Sequence, residues 1–193
     1  MSKKPYHHGD LRTAMIEQSI SFINEHGAGA LSLRKVAAAC GVSHSAPYSH
    51  FANKDVLLAA IESHINDKFI AELEAAVKND ATTVQGLVKL GCAYVLFFLY
   101  NPQYYFFIFS RTGNTDGDAP ENAPYDFFIS YISQVFEEMD YPQEKWMKTA
   151  TAHWAMMHGL ASMAVLDDPD EDGMQVWEDR TREIMSQNYM IFA

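Results

Sequence analysis

The stretch that decides the fold runs from Ser32 to Lys54 and reads SLRKVAAACGVSHSAPYSHFANK. Ser32 is a residue type that caps helix N-termini, and the run after it places small apolar residues at helical spacing. Gly41 then supplies the residue type that most often ends a helix in a left-handed conformation. Ser43 offers a second N-cap only two residues later. The stretch therefore predicts two short helices joined by a tight turn, which is a helix-turn-helix.

Pro47 limits the length of the second helix. A proline in a helix interior costs about 3 kcal/mol, so Pro47 must lie near the first turn after Ser43, and the helix can have only about two turns. A helix this short is not stable alone and must dock on a scaffold, for which Tyr48 and Phe51 are the expected anchors. The second helix of such a motif can enter the major groove of DNA.

The side chains expected to face outward from the second helix are small or carry hydrogen-bonding groups, which can donate to or accept from base edges. Lys54 is expected to open the next helix and to bind a phosphate there, and Arg34 and Lys35 can do the same on the other flank. The candidate DNA contacts are Arg34, Ser43, His44, Ser45, Tyr48, His50 and Lys54. The residues alone leave open that these are ordinary solvated groups on a structural three-helix unit.

Charge is distributed unevenly along the 193 residues. The net formal charge of −11 argues against nucleic acid, yet residues 1–55 hold six Lys and Arg against four Asp and Glu. The remaining residues hold eight Lys and Arg against 21 Asp and Glu. This asymmetry suits a DNA-facing head on an acidic body, although the excess in the head is modest. We therefore predict a helix-turn-helix domain over residues 1–55 and a larger helical ligand-binding and dimerisation domain over residues 56–193.

The rest of the chain also has the spacing of helices, with ends marked by Gly, Pro or Asn. Beside the two short helices, the predicted helices cover residues 10–26, 54–79, 83–100, 103–111, 124–139, 142–166 and 174–192. A loop is expected at 112–122 and an acidic, solvated turn at 167–173. Since no strand pattern and no repeat is found, the expected fold class is all-α, with about nine helices.

Two aromatic clusters, at residues 94–100 and 104–109, are too dense for one helix to bury on a single side. They are expected to line a space between helices, joined by Phe127, Phe128 and Tyr131. Trp154 and His158 lie four apart on one helix face, where His158 can line the cavity and orient a ligand. An aromatic wall favours an aromatic or apolar small-molecule effector. Ordinary core packing explains the same residues and stays the alternative. The candidate pocket residues are Tyr94, Phe98, Tyr105, Phe109, Phe127, Tyr131, Trp154 and His158.

An all-α enzyme and a helical protein-interaction module without DNA binding are the competing classes. The sequence holds no nucleophile beside a base, no paired carboxylates in an apolar setting and no phosphate-binding glycine loop. No Cys or His set has the spacing of metal ligands, so neither a metal nor a cofactor is expected. Two cysteines in apolar settings, a polar N-terminus and a most apolar stretch interrupted at Asn101-Pro102 predict a reduced, cytoplasmic protein that does not enter membranes.

Residues 10–57 resemble the N-terminal domain of TetR-type transcriptional regulators. The matching signature positions are Leu33, Val36, Ala37, Gly41, Val42, Ser43, Tyr48, His50, Phe51, Asn53, Lys54 and Leu57. The opening residues 6–12, YHHGDLR, and residues 153–161, HWAMMHGLA, resemble the WHG-domain branch of that family, which takes its name from a C-terminal Trp…His-Gly motif. Ala46 departs from the glycine that is common at its position, with little steric consequence.

This resemblance implies a homodimer, a palindromic double-stranded DNA operator, usually repression, and release by a small ligand in the larger domain. By position it implies the same candidate DNA contacts. The last two long helices can supply the dimer interface as a four-helix bundle about a two-fold axis. The arm of residues 3–8 either reaches phosphates or the minor groove, or is a frayed terminus. The resemblance identifies neither the operator nor the effector.

Overall fold

The computed structural model describes residues 8–78, 83–109 and 123–189, with the side chains of 8–10 and 188–189 left out. Every regular element in these residues is helical, so the all-α expectation is confirmed, and the helix count is close to the expected nine. The α-helices are α1 His8–His26, α2 Leu33–Ala39, α3 Lys54–Val77, α4 Val84–Tyr100, α5 Pro102–Phe109, α6 Ala123–Glu138, α7 Trp146–Asp167 and α8 Glu171–Tyr189. Three 3-10 helices cover Ala28–Ala30, Ala46–Ser49 and Gln143–Lys145. Residues 3–7 of the predicted arm at 3–8 and the predicted loop at 112–122 lie outside the described residues, whereas His8 begins α1.

The local signals for helix ends act as expected. Ser32 caps α2, since its hydroxyl accepts a hydrogen bond from the amide of Lys35. Asn53 caps α3 through a 2.9 Å bond from the amide of Val56 to its Oδ1. Gly27 and Gly41 follow α1 and α2 with φ of 77° and 65°, in the left-handed region that glycine enters at no steric cost. Local capping therefore sets the helix boundaries around the predicted turn.

Contacts divide the chain into two compact units, residues 1–65 with 106–112 (unit 1) and residues 66–105 with 113–193 (unit 2). The core of unit 1 is apolar, and its best-buried members are Met15, Ile16, Ile20, Val36, Ala37, Phe51, Leu57 and Ile61. These residues come from α1, α2, α3 and the end of the turn region, so one core fixes the three helices and the segment between them. The domain boundary at residue 55 stays a prediction.

Helix α4 lies at the centre of unit 2, where it contacts α6, α7 and α8. It is the most apolar of these helices, and its buried side chains include Tyr94, Val95 and Phe98. Close approach of α8 to α4 depends on Gly91, because a methyl group there would lie 2.6 Å from the sulfur of Met185. The core of this unit is therefore built around one largely buried helix.

The acidic turn expected at residues 167–173 is shorter than predicted. Helix α8 already begins at Glu171, because Asp170 caps it and accepts a 2.9 Å hydrogen bond from the amide of Gly173. Acidic residues at a helix N-terminus are stabilised by the helix dipole. Asp167 is also engaged, accepting a 2.7 Å bond from the indole of Trp177. These carboxylates are exposed, as expected of a solvated connector, and two of them also have protein partners, since Asp167 links the end of α7 to α8 and Asp170 caps α8.

Within the described ranges no single helix has both the length and the apolar character needed to cross a membrane. The pair α4 and α5 meets that criterion only when its two members are counted together across the bend at Asn101, and then by length and composition alone.

Candidate DNA-binding segment and effector region

Residues 43–50, the recognition segment, form a much shorter helix than predicted. A 3-10 helix spans only Ala46–Ser49, flanked by turns, instead of an α-helix of about two turns. Pro47 has no amide hydrogen to donate, so no α-helical hydrogen bond reaches back from it. Ser43 does not act as the N-cap, since its hydroxyl lies 3.1 Å from that of Ser45 and Ser45 precedes the helix without a side-chain cap bond.

Of the two expected anchors of the segment, Phe51 is confirmed and Tyr48 is not, and Pro47 takes its place. Pro47 is buried and Phe51 is 1% exposed, whereas Tyr48 is 54% exposed and does not anchor the segment. The amide of Phe51 donates a 2.8 Å bond to the carbonyl of Pro47. Arg12 of α1 holds its guanidinium 5.5 Å from the centre of the Phe51 ring, a contact that sequence reasoning missed. An arginine so far along the chain from its aromatic partner has no local sequence signal.

The outward face of the segment carries the predicted polar groups. Ser43, His44, Ser45 and Tyr48 are exposed, and His50 is half-buried. Hydroxyl, imidazole and phenol groups are therefore accessible along this segment. Such groups can donate to and accept from base edges in the major groove. The structure brings together five of the seven predicted contacts on this short segment.

The two remaining predicted contacts flank the segment. Arg34 is exposed in the first turn of α2. Lys54 is the first residue of α3, and its ammonium lies 3.4 Å from the carbonyl oxygen of Gly29. Lys35 also turns toward its own chain, donating a 2.8 Å hydrogen bond to the carbonyl of Ala30. The flanks of the recognition segment are thus positive, but their lysines already have protein partners.

In unit 2 the predicted pocket residues meet mainly as a ring cluster. The ring of Tyr94 contacts those of Phe98 and Trp154, at centroid distances of 5.5 and 5.2 Å. Tyr105 joins through Phe98 at 5.6 Å and lies 6.2 Å from the imidazole of His158. Edge-on contacts of this kind are typical of aromatic cores.

The other members of the predicted pocket lie elsewhere or at the edge of this cluster. Tyr131 is buried on α6, and the neighbouring Phe127 is half-buried. Phe109 is 39% exposed and belongs to unit 1, so it is not part of the unit 2 cluster. Sequence reasoning missed Phe69, whose ring stacks on that of Phe97 at 4.8 Å. Phe128, which the sequence places beside the clusters with Phe127 and Tyr131, does join, since its ring lies 5.4 Å from that of Trp154.

Burial governs the protonation of the polar groups in this cluster. It raises the pKa of Tyr94 well above its ordinary value, with a smaller contribution from Tyr105. It lowers the pKa of His158, whose Nδ1 lies 3.1 Å from the Tyr94 hydroxyl. It also lowers the pKa of His153, partly offset by the hydrogen bond that the imidazole donates to the carbonyl of Thr149. The cluster therefore holds neutral imidazoles and a neutral phenol at pH 7.

A groove of about 600 Å³ opens on unit 2 between α3, α4 and the start of α5. Its lining consists of Lys68, Ala71, Glu72, Ala93, Leu96, Phe97, Tyr100, Asn101 and Tyr104. None of the eight predicted pocket residues lines this groove. No group of three or more His, Cys, Asp or Glu in the described ranges is placed to hold a metal ion.

Two family profiles match the chain, each over one of its parts. The profile of bacterial regulatory proteins of the tetR family matches residues 16–61. A profile described as a tetracyclin repressor-like C-terminal domain matches residues 87–181, which agrees with the WHG-branch resemblance. No functionally curated protein sequence matches the chain.

Solved structures share the fold over nearly the whole length. A protein with unknown function from Rhodococcus sp. RHA1 is 25% identical, with a TM-score of 0.69, covering 94% of this chain and 98% of that one. The fatty acid degradation regulator FadR from Bacillus halodurans is 15% identical, with a TM-score of 0.72 and 96% of each chain covered. NalD of Pseudomonas aeruginosa, the secondary repressor of the MexAB-OprM multidrug efflux pump, is 21% identical, with a TM-score of 0.67, covering 93% and 96%.

The helix-turn-helix and its outward polar face define a DNA-binding transcriptional regulator. The two matched ranges cover most of the chain, and the chain belongs to the TetR family. Members of this family are regulators of transcription and not enzymes.

Proposed function

We propose that the protein is a homodimeric, cytoplasmic repressor that binds a palindromic operator and releases it when a small apolar or aromatic ligand binds in unit 2. The observation that carries this proposal is the recognition segment. Its inward residues, Pro47 and Phe51, are buried, while its hydroxyl and imidazole groups face outward. A segment that is docked on a core and polar outside is suited to reading base edges.

Within this proposal the seven outward or flanking residues divide by chemistry. Ser43, His44, Ser45, Tyr48 and His50 contact bases or the sugar edge, because they are short or carry both donors and acceptors. Arg34 and Lys54 contact phosphates on either side, which fixes position but carries no sequence information. The surface of residues 56–193 carries an excess of acidic groups, which disfavours any other approach of DNA.

A homodimer through α7 and α8 is supported by apolar side chains without cover in the single chain. Met163, Leu166 and Val176 are each more than half exposed. A methyl group at Gly159 would meet no atom of its own chain within 4 Å, so packing inside the protomer gives no reason for glycine there. A helix of a second subunit packed closely on this face would bury the three apolar side chains and would explain the glycine. Two-fold symmetry would then place two recognition segments about 34 Å apart, or a multiple of it, on one face of the duplex.

An apolar or aromatic effector is supported by the ring cluster around Tyr94, Trp154 and His158. Aromatic walls with few polar groups select ligands by shape and by one or two hydrogen bonds. Of the structures that share the fold, one regulates fatty acid degradation and another represses a multidrug efflux pump. Helix α3 starts beside the recognition segment and ends in unit 2, so a ligand that prefers one placement of α3 would change operator affinity.

The test is to select bound duplexes from a random pool with the full-length protein and then titrate the selected duplex with candidate effectors. We expect a two-fold symmetric sequence to be enriched, and the affinity for it to fall when saturated long-chain fatty acids or planar aromatic compounds bind. An unenriched pool would overturn the DNA-reading proposal. Enrichment with no loss of affinity, for compounds shown to bind by calorimetry, would overturn the ligand-release part alone.

A further inference from the structure

The short connection between α1 and α2 accepts hydrogen bonds from the lysines on both sides of the recognition segment. The carbonyl of Ala30 accepts a 2.8 Å bond from Lys35 of α2. The carbonyl of Gly29, one residue earlier, accepts a 3.4 Å bond from Lys54 at the start of α3. The recognition segment follows α2 and precedes α3 in the chain. One short connection therefore links the two helices between which the segment is held.

This connection is itself well fixed. It begins at Gly27, whose amide donates a 2.7 Å bond to the carbonyl of Ile23 at the end of α1. It turns through the 3-10 helix Ala28–Ala30 and ends at Leu31, which is 3% exposed. Its carbonyls are therefore held in place by backbone bonds on one side and a buried side chain on the other.

Lys35 is held by more than one partner, although it lies on the surface. Its ammonium also lies 5.2 Å from the centre of the Phe22 ring on α1, at a distance where cation–π attraction acts. The ammonium thus joins α1, the connection and α2 at one point. This differs from the sequence expectation, in which Lys35, like Arg34, is a group free to bind phosphate.

Lys54 is held less firmly. Its bond of 3.4 Å to the carbonyl of Gly29 is near the upper limit for a hydrogen bond and is weak. It stands at the N-terminus of α3, where the amide groups and the helix dipole favour a nearby anion. A phosphate can therefore replace the carbonyl of Gly29 as its partner at small cost.

We propose that Lys35 is a positioning residue, which sets the recognition segment by fixing α2 to the α1–α2 connection, while Lys54 exchanges its carbonyl partner for a DNA phosphate. The inference rests on the proposed function as a DNA reader. It predicts that the two lysines, although bound to neighbouring carbonyls, contribute to binding in different ways. Lys54 raises the affinity for every duplex alike, whereas Lys35 raises the preference for the operator over other duplexes.

The experiment compares Lys35→Met with Lys54→Met, since methionine keeps an apolar stem and removes the charge. Dissociation constants are measured for the selected operator and for a random-sequence duplex of equal length, between about 50 and 200 mM KCl. For Lys54→Met we expect weaker binding to both duplexes. The salt slope, which is the fall of log K with log salt concentration, should be less steep by about 0.9 for each phosphate that the variant no longer neutralises. For Lys35→Met we expect about fivefold weaker operator binding, with unchanged random-duplex binding and an unchanged salt slope.

Two further variants separate positioning from mere stability. Lys35→Arg keeps a cation over Phe22 and a donor for Ala30, and should restore operator discrimination. Phe22→Leu changes no charge, and should reduce discrimination in the same sense as Lys35→Met. All constants are measured well below the unfolding temperature of each variant, so that a simple loss of stability leaves them unchanged.

Amide hydrogen exchange of the free proteins gives a readout without DNA. In Lys35→Met, the amides of Leu31 and Phe51 should exchange faster, while those of α4 stay as in the wild type. If Lys35→Met lowers the salt slope, Lys35 is a phosphate ligand and the proposal is wrong. It is equally wrong if neither discrimination nor exchange changes. If the wild type shows no preferred duplex, the proposed function fails, and unchanged exchange in Lys35→Met would then overturn the positioning role separately.

Discussion

The hydroxyl of Tyr94 and Nδ1 of His158 lie 3.1 Å apart and join α4 to α7 inside the ring cluster of unit 2. Tyr94 is 1% exposed, and burial raises the pKa of its phenol, which therefore stays protonated at physiological pH. Burial lowers the pKa of His158, so the imidazole is neutral there and its Nδ1 can accept a hydrogen bond from the phenol. The pair is a polar contact within an aromatic cluster.

Replacing Tyr94 with phenylalanine removes this hydrogen bond and keeps the ring contacts with Phe98 and Trp154. We expect the free energy of unfolding to fall by about 1 kcal/mol, the usual cost of removing a buried hydrogen bond. Urea unfolding followed by circular dichroism measures it. The matched control is Tyr48→Phe, because Tyr48 is mostly exposed, and it should leave stability unchanged. Equal effects of the two substitutions would show that the Tyr94 bond contributes nothing.

Acid should destabilise the protein through His153 and His158. Burial lowers the pKa of both imidazoles in the folded state, whereas in the unfolded chain they titrate near pH 6.5. Below that pH the unfolded state binds more protons, so the free energy of unfolding should decrease as the pH falls from about 7 toward 5. Above about pH 7 both forms are neutral and these groups contribute no pH dependence.

Urea unfolding at several pH values tests this expectation in the wild type and in a His153→Gln/His158→Gln double variant. The double variant should have a shallower decline of stability between pH 7 and 5, since the two titrating groups are gone. His44→Gln, which changes an exposed histidine, should keep the wild-type slope. A double variant as steep as the wild type would assign the acid sensitivity to other groups.

Gly91 tests the packing of α8 on α4. An added methyl group would lie 2.6 Å from Sδ and 3.3 Å from Cγ of Met185, which is fully buried. Gly91→Ala should therefore destabilise by about 1–3 kcal/mol despite the better helix propensity of alanine. In Gly91→Ala/Met185→Ala the new methyl group enters space that the shortened side chain has left, so the combined destabilisation should be smaller than the sum of the two single effects. Additive effects would mean that the two sites do not touch.

Leu166 and Met163 test the proposed dimer face. Both are exposed in the single chain, so replacing each by glutamate should hardly change protomer stability. At a dimer interface the introduced charges would face each other across the two-fold axis and shift the protein toward monomer in sedimentation experiments. Val56→Glu, at another exposed apolar residue, is the control and should leave the assembly unchanged. A dimer that tolerates both α7 substitutions must use another face.

The features that local sequence sets were predictable. Ser32, Gly41 and Asn53 act through bonds or torsions within a few residues, so the helices around the turn appear where the sequence places them. The outward polar face of the recognition segment was also predictable, because Pro47 and Phe51 fix which side is buried. The short 3-10 form of that helix was not, since Pro47 lies in its first turn, where a proline is equally compatible with an α-helix.

The features that depend on distant residues were not predictable. The contact of Arg12 with Phe51 and those of the two lysines with Gly29 and Ala30 arise from how three helices meet. The aromatic density near Tyr94 was visible in the sequence, but which rings touch depends on the packing of α4 against α7. The bond between Asp167 and the indole of Trp177 has no local sequence signal either, because it depends on how α7 meets α8.

The outward face of residues 43–50 reads base edges in the proposed function, and every other part of the proposal depends on it. The most direct test compares the base preference of wild type, His44→Ala and Lys54→Ala by sequencing duplexes bound from one random pool. We predict that His44→Ala relaxes the preference at one symmetric pair of positions, whereas Lys54→Ala weakens binding to all sequences and keeps the wild-type preference. Identical preferences for wild type and His44→Ala would remove His44 from the reading surface. A wild type without any preference would contradict the claim as a whole.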